Sequence, residues 1–317
     1  MDRLAADRRR RKPRIPCVRD RCWGKIAAVT SVYIVAHHQR SEAAALVLAT
    51  VSWLRAHGHD AWMSPDDATA IGLDDLASDR NPGEAALAIS LGGDGTMLRT
   101  VKMLDGAAVP IIGVNVGLLG YLTEVEPPGL LPALERWFAT DGAAVSWRIE
   151  ERMMLQIAVH RVGDRALAER WRALNEVVLE KGEAGHTVRL NVSIDGSPFT
   201  SYAADGLIVA TPTGSTAYSL SVRGPVVSPQ HRAMLLTPVS PHMLFDRTLV
   251  LDPDEPISIE VSGYRSVEVS VDGQRVARLQ EGDTLVCTPA AETARFVRFG
   301  PRRFHQILKA KFGLSDR

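Results

Sequence analysis

Between Val32 and Gly120, short apolar runs alternate with helix-like segments, and this alternation limits the possible folds more than any other feature. Two intervening segments, one starting at Ser41 and one over Thr96–Leu104, have helical composition. Strands that alternate with helices form βαβ units, so we expect an α/β domain with a parallel sheet over residues 26–148. The four expected strands are Val32–Ala36, Asp60–Met63, Ala85–Leu91 and Pro110–Val114.

The pattern changes after about residue 148, where short β-rich segments replace the alternation. Asp195-Gly196 and Asp272-Gly273 are typical hairpin turns. We therefore expect a mostly β, sandwich-like second domain over 149–290. A C-terminal segment, 291–317, is expected to contain a helix over Phe304–Phe312 and to return to the first domain. The expected strands are Met153–Arg161, Ala173–Lys181, Val188–Ile194, Leu207–Thr211, Ile257–Val261, Ser266–Val271 and Thr284–Thr288.

Charge and cysteine content exclude several classes of protein. The chain has 37 Lys and Arg against 37 Asp and Glu, so its charge gives no reason to expect a nucleic-acid or membrane partner. No apolar run approaches the ~20 residues of a membrane span. Three cysteines without zinc-type spacing predict a cytoplasmic protein. The basic block Arg8–Lys12 predicts a disordered tail over residues 1–25.

The strongest local motif is Leu91–Thr96 (LGGDGT), which follows an expected buried strand and precedes an expected helix. Ligands of open parallel sheets bind beyond the carboxyl ends of the strands. Glycines there let backbone N–H groups approach phosphate oxygens, and a helix N-terminus favours anions. A lone carboxylate in such a loop, Asp94, suits proton abstraction from a nucleophile or positioning of a magnesium ion. The alternative is a tight turn in which Asp94 only caps the helix.

A second cluster, Asp205–Ser221 (DGLIVATPTGSTAYSLS), runs from a strand into a loop rich in hydroxyl groups. Hydroxyls and backbone amides suit sugar and phosphate oxygens, and Tyr218 could cover a base or ribose. An ordinary polar turn with a helix cap explains this composition equally well. The Walker motif, a GxGxxG after the first strand, HExxH and GxSxG are all absent, which argues against Walker-type NTPases, dehydrogenases and serine hydrolases.

Five motifs, taken together and in their order along the chain, resemble those of the bacterial NAD kinases (ATP/polyphosphate-NAD kinases). GGDG alone is shared with diacylglycerol-type lipid kinases and 6-phosphofructokinases, but the combination is specific, and the resemblance spans Val32 to Phe312. The motifs are Leu91–Leu98 (LGGDGTML), Gly113–Glu124 (GVNVGLLGYLTE), Asn175-Glu176, Asp205–Ser221 and Thr237–His242 (TPVSPH).

The resemblance implies a fold and a reaction. The fold is an α/β domain followed by a β-sandwich-like domain, with the active site between them. The reaction transfers a phosphoryl group from ATP or inorganic polyphosphate to the 2′-hydroxyl of the adenosine ribose of NAD, giving NADP. A divalent cation, Mg²⁺ or alternatively Mn²⁺, would assist, with no fixed protein ligands. The enzyme would be a homodimer or homotetramer.

The resemblance also implies roles for individual residues. Asp94 would be the general base and would also contact NAD, Asn175 would bind the adenine edge, and Glu176 would bind ribose hydroxyls. The phosphate loop would be Gly92, Gly93, Gly95 and Thr96. The other NAD-binding residues would be Gly95, Arg99, His186, Asp205, Thr216, Ala217, Tyr218, Ser219, Leu220, Ser221 and Gln274.

The sequence departs from the family pattern in two places, and two rival functions are weighed against it. Val222-Arg223 precede Gly224-Pro225 where the family often has small residues, and Arg223 is either a nearby charge or simply solvated. Ala203 stands where many bacterial members carry Lys or Arg, which removes a positive charge near the phosphates. A lipid or sugar kinase that shares GGDG would not explain Asn175-Glu176 together with TPTGSTAY. A non-catalytic NAD(P)-binding regulator on the same fold would be expected to lack the Asp94 carboxylate.

Overall fold

The computed structural model describes residues 29–139, 146–183, 185–301 and 304–314 of the 317-residue chain. The basic tail expected over residues 1–25 lies outside these ranges. In the part that is described, no helix is long and apolar enough to cross a membrane.

The first half is an α/β layer built on a parallel sheet. Its elements are β1 (Ser31–Ala36), α1 (Ser41–Ala56), β2 (Asp60–Trp62), α2 (Pro65–Ala70), β3 (Leu87–Gly92), α3 (Asp94–Leu104), β4 (Pro110–Asn115) and α4 (Leu130–Phe138). The strands lie in the order β2-β1-β3-β4, and every pair among them is parallel. The α/β architecture and the parallel sheet are therefore confirmed.

Helices cover both faces of this sheet, which explains the uninterrupted apolar runs. Val32 and Ile34 of β1 face one core together with α1 and α4. Tyr33 and Val35 face a second core on the opposite side together with α3. Because both faces are buried, the strands show no polar alternation, and α3 starts directly at the carboxyl end of β3.

The second half is mostly β, as expected. Its two sheets pack against each other around one large apolar core, and the sheet β12-β11-β10-β7-β14-β15 is antiparallel at each pairing. The elements are β5 (Arg148–Arg161), β6 (Asp164–Ala173), β7 (Glu176–Lys181), β8 (Val188–Ile194), β9 (Ser197–Ala204), β10 (Gly206–Ala210), α5 (Tyr218–Ser221), β11 (Met234–Val239), β12 (Leu249–Leu251), β13 (Ile257–Val261), β14 (Val267–Val271), β15 (Gln274–Leu279), β16 (Thr284–Arg298) and α6 (Phe304–Phe312).

The long strand β16 joins the two halves into one sheet. Its first residues pair with β13, and Arg295 and Phe296 pair in parallel with β4. The sheet order is β2-β1-β3-β4-β16-β13-β8-β9, and β5 runs beside most of β16. The strand expected to end at Thr288 is therefore too short, because β16 continues past Pro289 after a shift of register.

Candidate active site

Asp94 opens α3, and its carboxylate is held by the loop that follows β4. The backbone N–H of Tyr121 donates to Oδ2 at 2.8 Å, and that of Leu122 donates to Oδ1 at 2.9 Å. A Cβ on Gly120 would lie 2.3 Å from Asp94 Oδ1, so a glycine is needed for this close approach. Asp94 makes no side-chain cap of α3, so the turn-and-cap interpretation does not describe its contacts.

The glycines around Asp94 serve two different purposes. A Cβ on Gly92 would lie 2.1 Å from Thr96 Oγ1, so Gly92 allows the tight packing of α3 against β3. Among the described residues, nothing lies within 4 Å of a Cβ placed on Gly93 or Gly95. The space over the N-terminus of α3 is therefore open beside Asp94, where the helix dipole and backbone N–H groups favour an anion.

Asp272, at the turn between β14 and β15, fixes the backbone of the Asn175-Glu176 pair. Its Oδ1 accepts from the N–H groups of Asn175 at 2.8 Å and Glu176 at 3.1 Å, and its Oδ2 accepts from Leu174 at 2.8 Å. Asp272 has a φ of +46°, as a tight hairpin requires. The sequence identified this residue only as part of a turn.

The loop after β10 packs on the same backbone. The Thr211 N–H donates to the Asn175 carbonyl at 2.8 Å, and Thr211 Oγ1 donates to the Leu174 carbonyl at 2.6 Å. A Cβ on Gly214 would lie 2.1 Å from the Asn175 carbonyl oxygen. The structure thus brings the Asn175-Glu176 motif and the TPTGST motif into contact.

Glu176 is a buried acid with an unusual environment. Its side chain lies near the N–H of Tyr218, and its Oε2 has no hydrogen-bond partner within the described residues. Burial, followed by the charge of Asp272, raises the pKa of Glu176 to about 8. At neutral pH the carboxyl is mainly protonated and can donate a hydrogen bond to a ligand oxygen.

The residues around α5 are only partly available to a ligand. Tyr218 is 37% exposed, and burial together with the nearby charges of Glu180 and Asp205 raises its pKa. Ser219 is buried, and its hydroxyl lies 3.1 Å from that of Thr237 on β11, so it holds α5 on the sheet. Beside them, Thr216, Ala217 and Leu220 are half-buried and Ser221 is exposed.

Three of the predicted site residues have protein partners or lie in another cavity. Arg99 Nη1 contacts Asp67 Oδ1 at 2.5 Å, and Asp205 pairs with Lys181 at 2.6 Å. His186 lines a cavity of about 270 Å³ that it shares with Lys181, at the opposite end of β7 from Glu176. A role for Arg99, Asp205 or His186 in NAD binding stays a prediction.

A buried charge network lies behind the site and was not found from the sequence. Arg298 Nη1 donates to the Leu122 carbonyl at 2.9 Å, and its Nη2 donates to Glu150 Oε1 at 3.0 Å. Arg152 binds the same carboxylate and donates to Thr213 Oγ1 at 3.2 Å. Burial alone raises the pKa of Glu150, but Arg298 and Arg152 outweigh it and hold the pKa at about 2. This charged network connects the Asp94 loop to the TPTGST loop.

A cleft of about 440 Å³ opens between α3 and the β14–β15 hairpin. Gly95, Asp272 and Gln274 line it, and the Lys102 Nζ donates to Gln274 Oε1 across it. Two predicted site residues, Gly95 and Gln274, therefore share one cavity. We call this cavity the Lys102 cleft.

Comparison with known proteins adds independent support to these observations. A model described as the ATP-NAD kinase N-terminal domain matches residues 32–142, and one described as the C-terminal domain matches 174–299. The NAD kinase of Heliobacterium modesticaldum is 44% identical over 226 residues, which are 71% of this chain and 77% of that protein. The NAD kinase of Acidobacterium capsulatum is 36% identical over 293 residues, which are 90% and 99% of the two chains.

Solved structures are similar as well. The crystal structure of yeast NADH kinase complexed with NADH has a TM-score of 0.81 at 26% identity, covering 91% of this chain and 89% of that one. An NAD kinase from Archaeoglobus fulgidus in complex with ATP has a TM-score of 0.63 at 20% identity, covering 90% and 98%. At that identity the second structure supports the fold alone.

Proposed function

The chain belongs to the NAD kinase family, a family of kinases that phosphorylate NAD to NADP, and we propose that Asp94 is the general base of this reaction. The observation that carries the proposal is the fixed Asp94 carboxylate beside the open N-terminus of α3. Two of its roughly four acceptor positions are taken by the N–H groups of Tyr121 and Leu122, which leaves positions for a substrate hydroxyl.

The proposed role follows from the chemistry of the acceptor. A ribose hydroxyl is a poor nucleophile near neutral pH, and a positioned carboxylate assists its deprotonation by typically ~10²–10⁴-fold. The 2′-oxygen forms a bond to the terminal phosphorus of the donor while its proton moves to an Asp94 oxygen. The bond from that phosphorus to the bridging oxygen breaks, and the leaving group keeps the electron pair. Alignment and charge neutralisation at the glycine turn supply further acceleration.

Asn175 and Glu176 are proposed to bind the adenosine of NAD. The side-chain amide of Asn175 makes no hydrogen bond within the described residues, so both its oxygen and its nitrogen can meet a base edge. The buried Glu176 Oε2 is likewise without a partner there, and a ribose hydroxyl would satisfy it. Both groups lie at the start of β7, where Asp272 fixes their backbone.

The donor, the metal, the assembly and the location are further proposals that rest on the family resemblance and the composition. We propose ATP or polyphosphate as donor, a homo-oligomer, and a cytoplasmic location. Among the described residues, no group of three or more His, Cys, Asp or Glu could hold a metal ion. The lone Asp94 beside an open phosphate position fits an Mg²⁺ ion carried mainly by phosphate oxygens. When bound, such an ion neutralises charge on the transferred phosphoryl group.

Replacing Asp94 with asparagine tests the general base. The amide keeps the shape but accepts a proton poorly, so we expect turnover at saturating NAD, donor and Mg²⁺ to fall by about 10²–10⁴-fold. NAD affinity measured by calorimetry should change only a few-fold, because the lost interaction belongs to the transition state. Asp195→Asn is the matched control, since its turn at φ +48° accepts asparagine. Turnover of Asp94→Asn within a few-fold of wild type removes Asp94 from the mechanism.

A further inference from the structure

The chain at the end of β16 contacts the Asp94 loop (residues 116–124), and the mechanism above makes no use of this contact. Glu124 Oε1 accepts from the N–H groups of Phe299 at 2.8 Å and Gly300 at 3.1 Å. Arg298 also donates from Nη1 to a carbonyl of the loop at 2.9 Å. The segment that leads into α6 is therefore attached to the loop that holds the catalytic carboxylate.

α6 itself contacts the same loop through one side chain. Lys311, in the last turn of the helix, places its Nζ 4.5 Å from the centroid of the Tyr121 ring. The Tyr121 N–H donates to Asp94 Oδ2 at 2.8 Å. Because a cation over an aromatic ring is attracted to it, the charge of Lys311 acts on a residue that binds the Asp94 carboxylate directly.

The Tyr121 side chain lies within the electrostatic field of Asp94. Burial, followed by the charge of Asp94, raises the pKa of Tyr121, so the phenol is uncharged near neutral pH. Lys311 therefore meets the face of a neutral ring and not a phenolate. Within the described residues Lys311 makes no ion pair, so no carboxylate competes with the ring for its charge.

α6 is otherwise held loosely on the molecule. None of its nine residues is buried, and a cavity of about 240 Å³ lies beneath it, lined by Phe304 and Ile307 of the helix and by Tyr121. This cavity shares none of its described lining residues with the Lys102 cleft. A short helix that buries little apolar surface gains little from packing, so a single contact such as that of Lys311 has a large share in fixing it.

We propose that Lys311 is a positioning residue of the phosphoryl transfer, which holds the Tyr121 ring and through it the N–H group that orients Asp94 Oδ2. This inference rests on the proposed function of Asp94 as general base. Lys311 touches neither substrate, so its loss should lower kcat and leave the KM values for NAD and ATP unchanged. A helix that only stabilised the fold would change the thermal midpoint and not kcat.

Lys311→Met tests the contact, because it removes the charge and keeps an unbranched apolar side chain. We expect kcat for NADP formation, measured well below the thermal midpoint of each variant, to fall about 2- to 5-fold, the rate equivalent of an exposed cation–π contact. Lys311→Arg keeps a cation over the ring and should restore kcat. Lys309→Met is the matched control, since Lys309 lies about 200° around the same helix at ~3.6 residues per turn.

A double-mutant cycle shows whether Lys311 acts through the Tyr121 ring. Tyr121→Leu keeps the backbone N–H but removes the ring, so it should lower kcat at least as much as Lys311→Met does. Lys311→Met should then have no further effect in the Tyr121→Leu background. Tyr121→Phe keeps the ring, and in that background Lys311→Met should still lower kcat about 2- to 5-fold.

The outcomes distinguish this inference from the function on which it rests. An unchanged kcat in Lys311→Met, an equal loss in Lys309→Met, or additive losses of Lys311→Met and Tyr121→Leu would each overturn the positioning role. A higher KM for NAD at constant kcat would overturn it as well, because Lys311 would then act on acceptor binding. If Lys311→Met has no effect while Asp94→Asn is nearly inactive, only this inference fails. Near wild-type turnover of Asp94→Asn would refute the proposed function itself.

Discussion

Replacing Gly120 with alanine tests the geometry around Asp94 without removing any functional group. The added Cβ would lie 2.3 Å from Asp94 Oδ1 and 2.7 Å from Thr123 Oγ1. Since non-bonded heavy atoms prefer about 3.5 Å, the carboxylate or its loop must move by about 1 Å. A misplacement of ~1 Å at a reacting centre can cost about 10²-fold in rate. We therefore expect a loss of turnover of that order in Gly120→Ala.

The assay is NADP formation at saturating NAD, ATP and Mg²⁺, well below the thermal midpoint of the variant. NAD affinity should change much less than turnover, because Asn175 and Glu176 lie at the start of β7, away from this loop. Gly129→Ala is the matched control, since in the described part of the chain its Cβ would meet only Val125 Cγ1 at 3.6 Å, an ordinary contact. A folded Gly120→Ala variant with turnover within three-fold of wild type would refute the argument that this loop positions the carboxylate.

Three further predictions concern polar side chains of the interior and of the site. Glu150→Gln should lower the free energy of unfolding, measured by urea titration, by about 3–5 kcal/mol, because two buried arginines lose their shared carboxylate. The exposed control Glu169→Gln should lower it by less than about 1 kcal/mol. Equal losses in the two variants would contradict this prediction. The pKa of Glu176 is about 8 in the folded state against 4.5 for an ordinary Glu, so the native state binds the extra proton and its stability falls as pH rises from 4.5 to 8. Glu176→Gln should flatten that part of the stability–pH curve, and an unchanged slope would count against a protonated Glu176. Asn175→Ala should weaken NAD binding by ~1–3 kcal/mol and leave the KM for ATP unchanged; a rise for ATP alone would show that Asn175 does not bind the acceptor.

The α/β half could be predicted from the sequence because its signals are local. A parallel strand covered on both faces is an apolar run, so the predicted Val32–Ala36 differs from β1 (Ser31–Ala36) by one residue. The signal for the glycine turn at Asp94 is local as well, since consecutive residues form the strand, the turn and the helix. The motif set further identified the family, which the comparisons confirm.

The long strands β5 and β16 carry features that could not be predicted from the sequence. Their ends at the centre of the molecule carry Glu150, Arg152 and Arg298, residue types that normally mark a solvated surface. These charges are buried because Glu150 and Arg298 meet across 148 positions of sequence. No local pattern predicts such a pair, and for this reason both strands were expected to be shorter than they are.

The sequence alone determined the order of the elements, the position of the glycine turn and the membership of a family, because each depends on neighbouring residues or on a specific combination of motifs. The tertiary structure decided which groups surround Asp94: the N–H groups of Tyr121 and Leu122, and behind them Arg298. It also decided that Asp272 fixes the backbone of Asn175. These contacts join segments far apart in the chain. The pairing of β3 with β4 brings the loop after β4 to Asp94, the pairing of β14 with β7 brings Asp272 to Asn175, and β16 carries Arg298 to the Leu122 carbonyl.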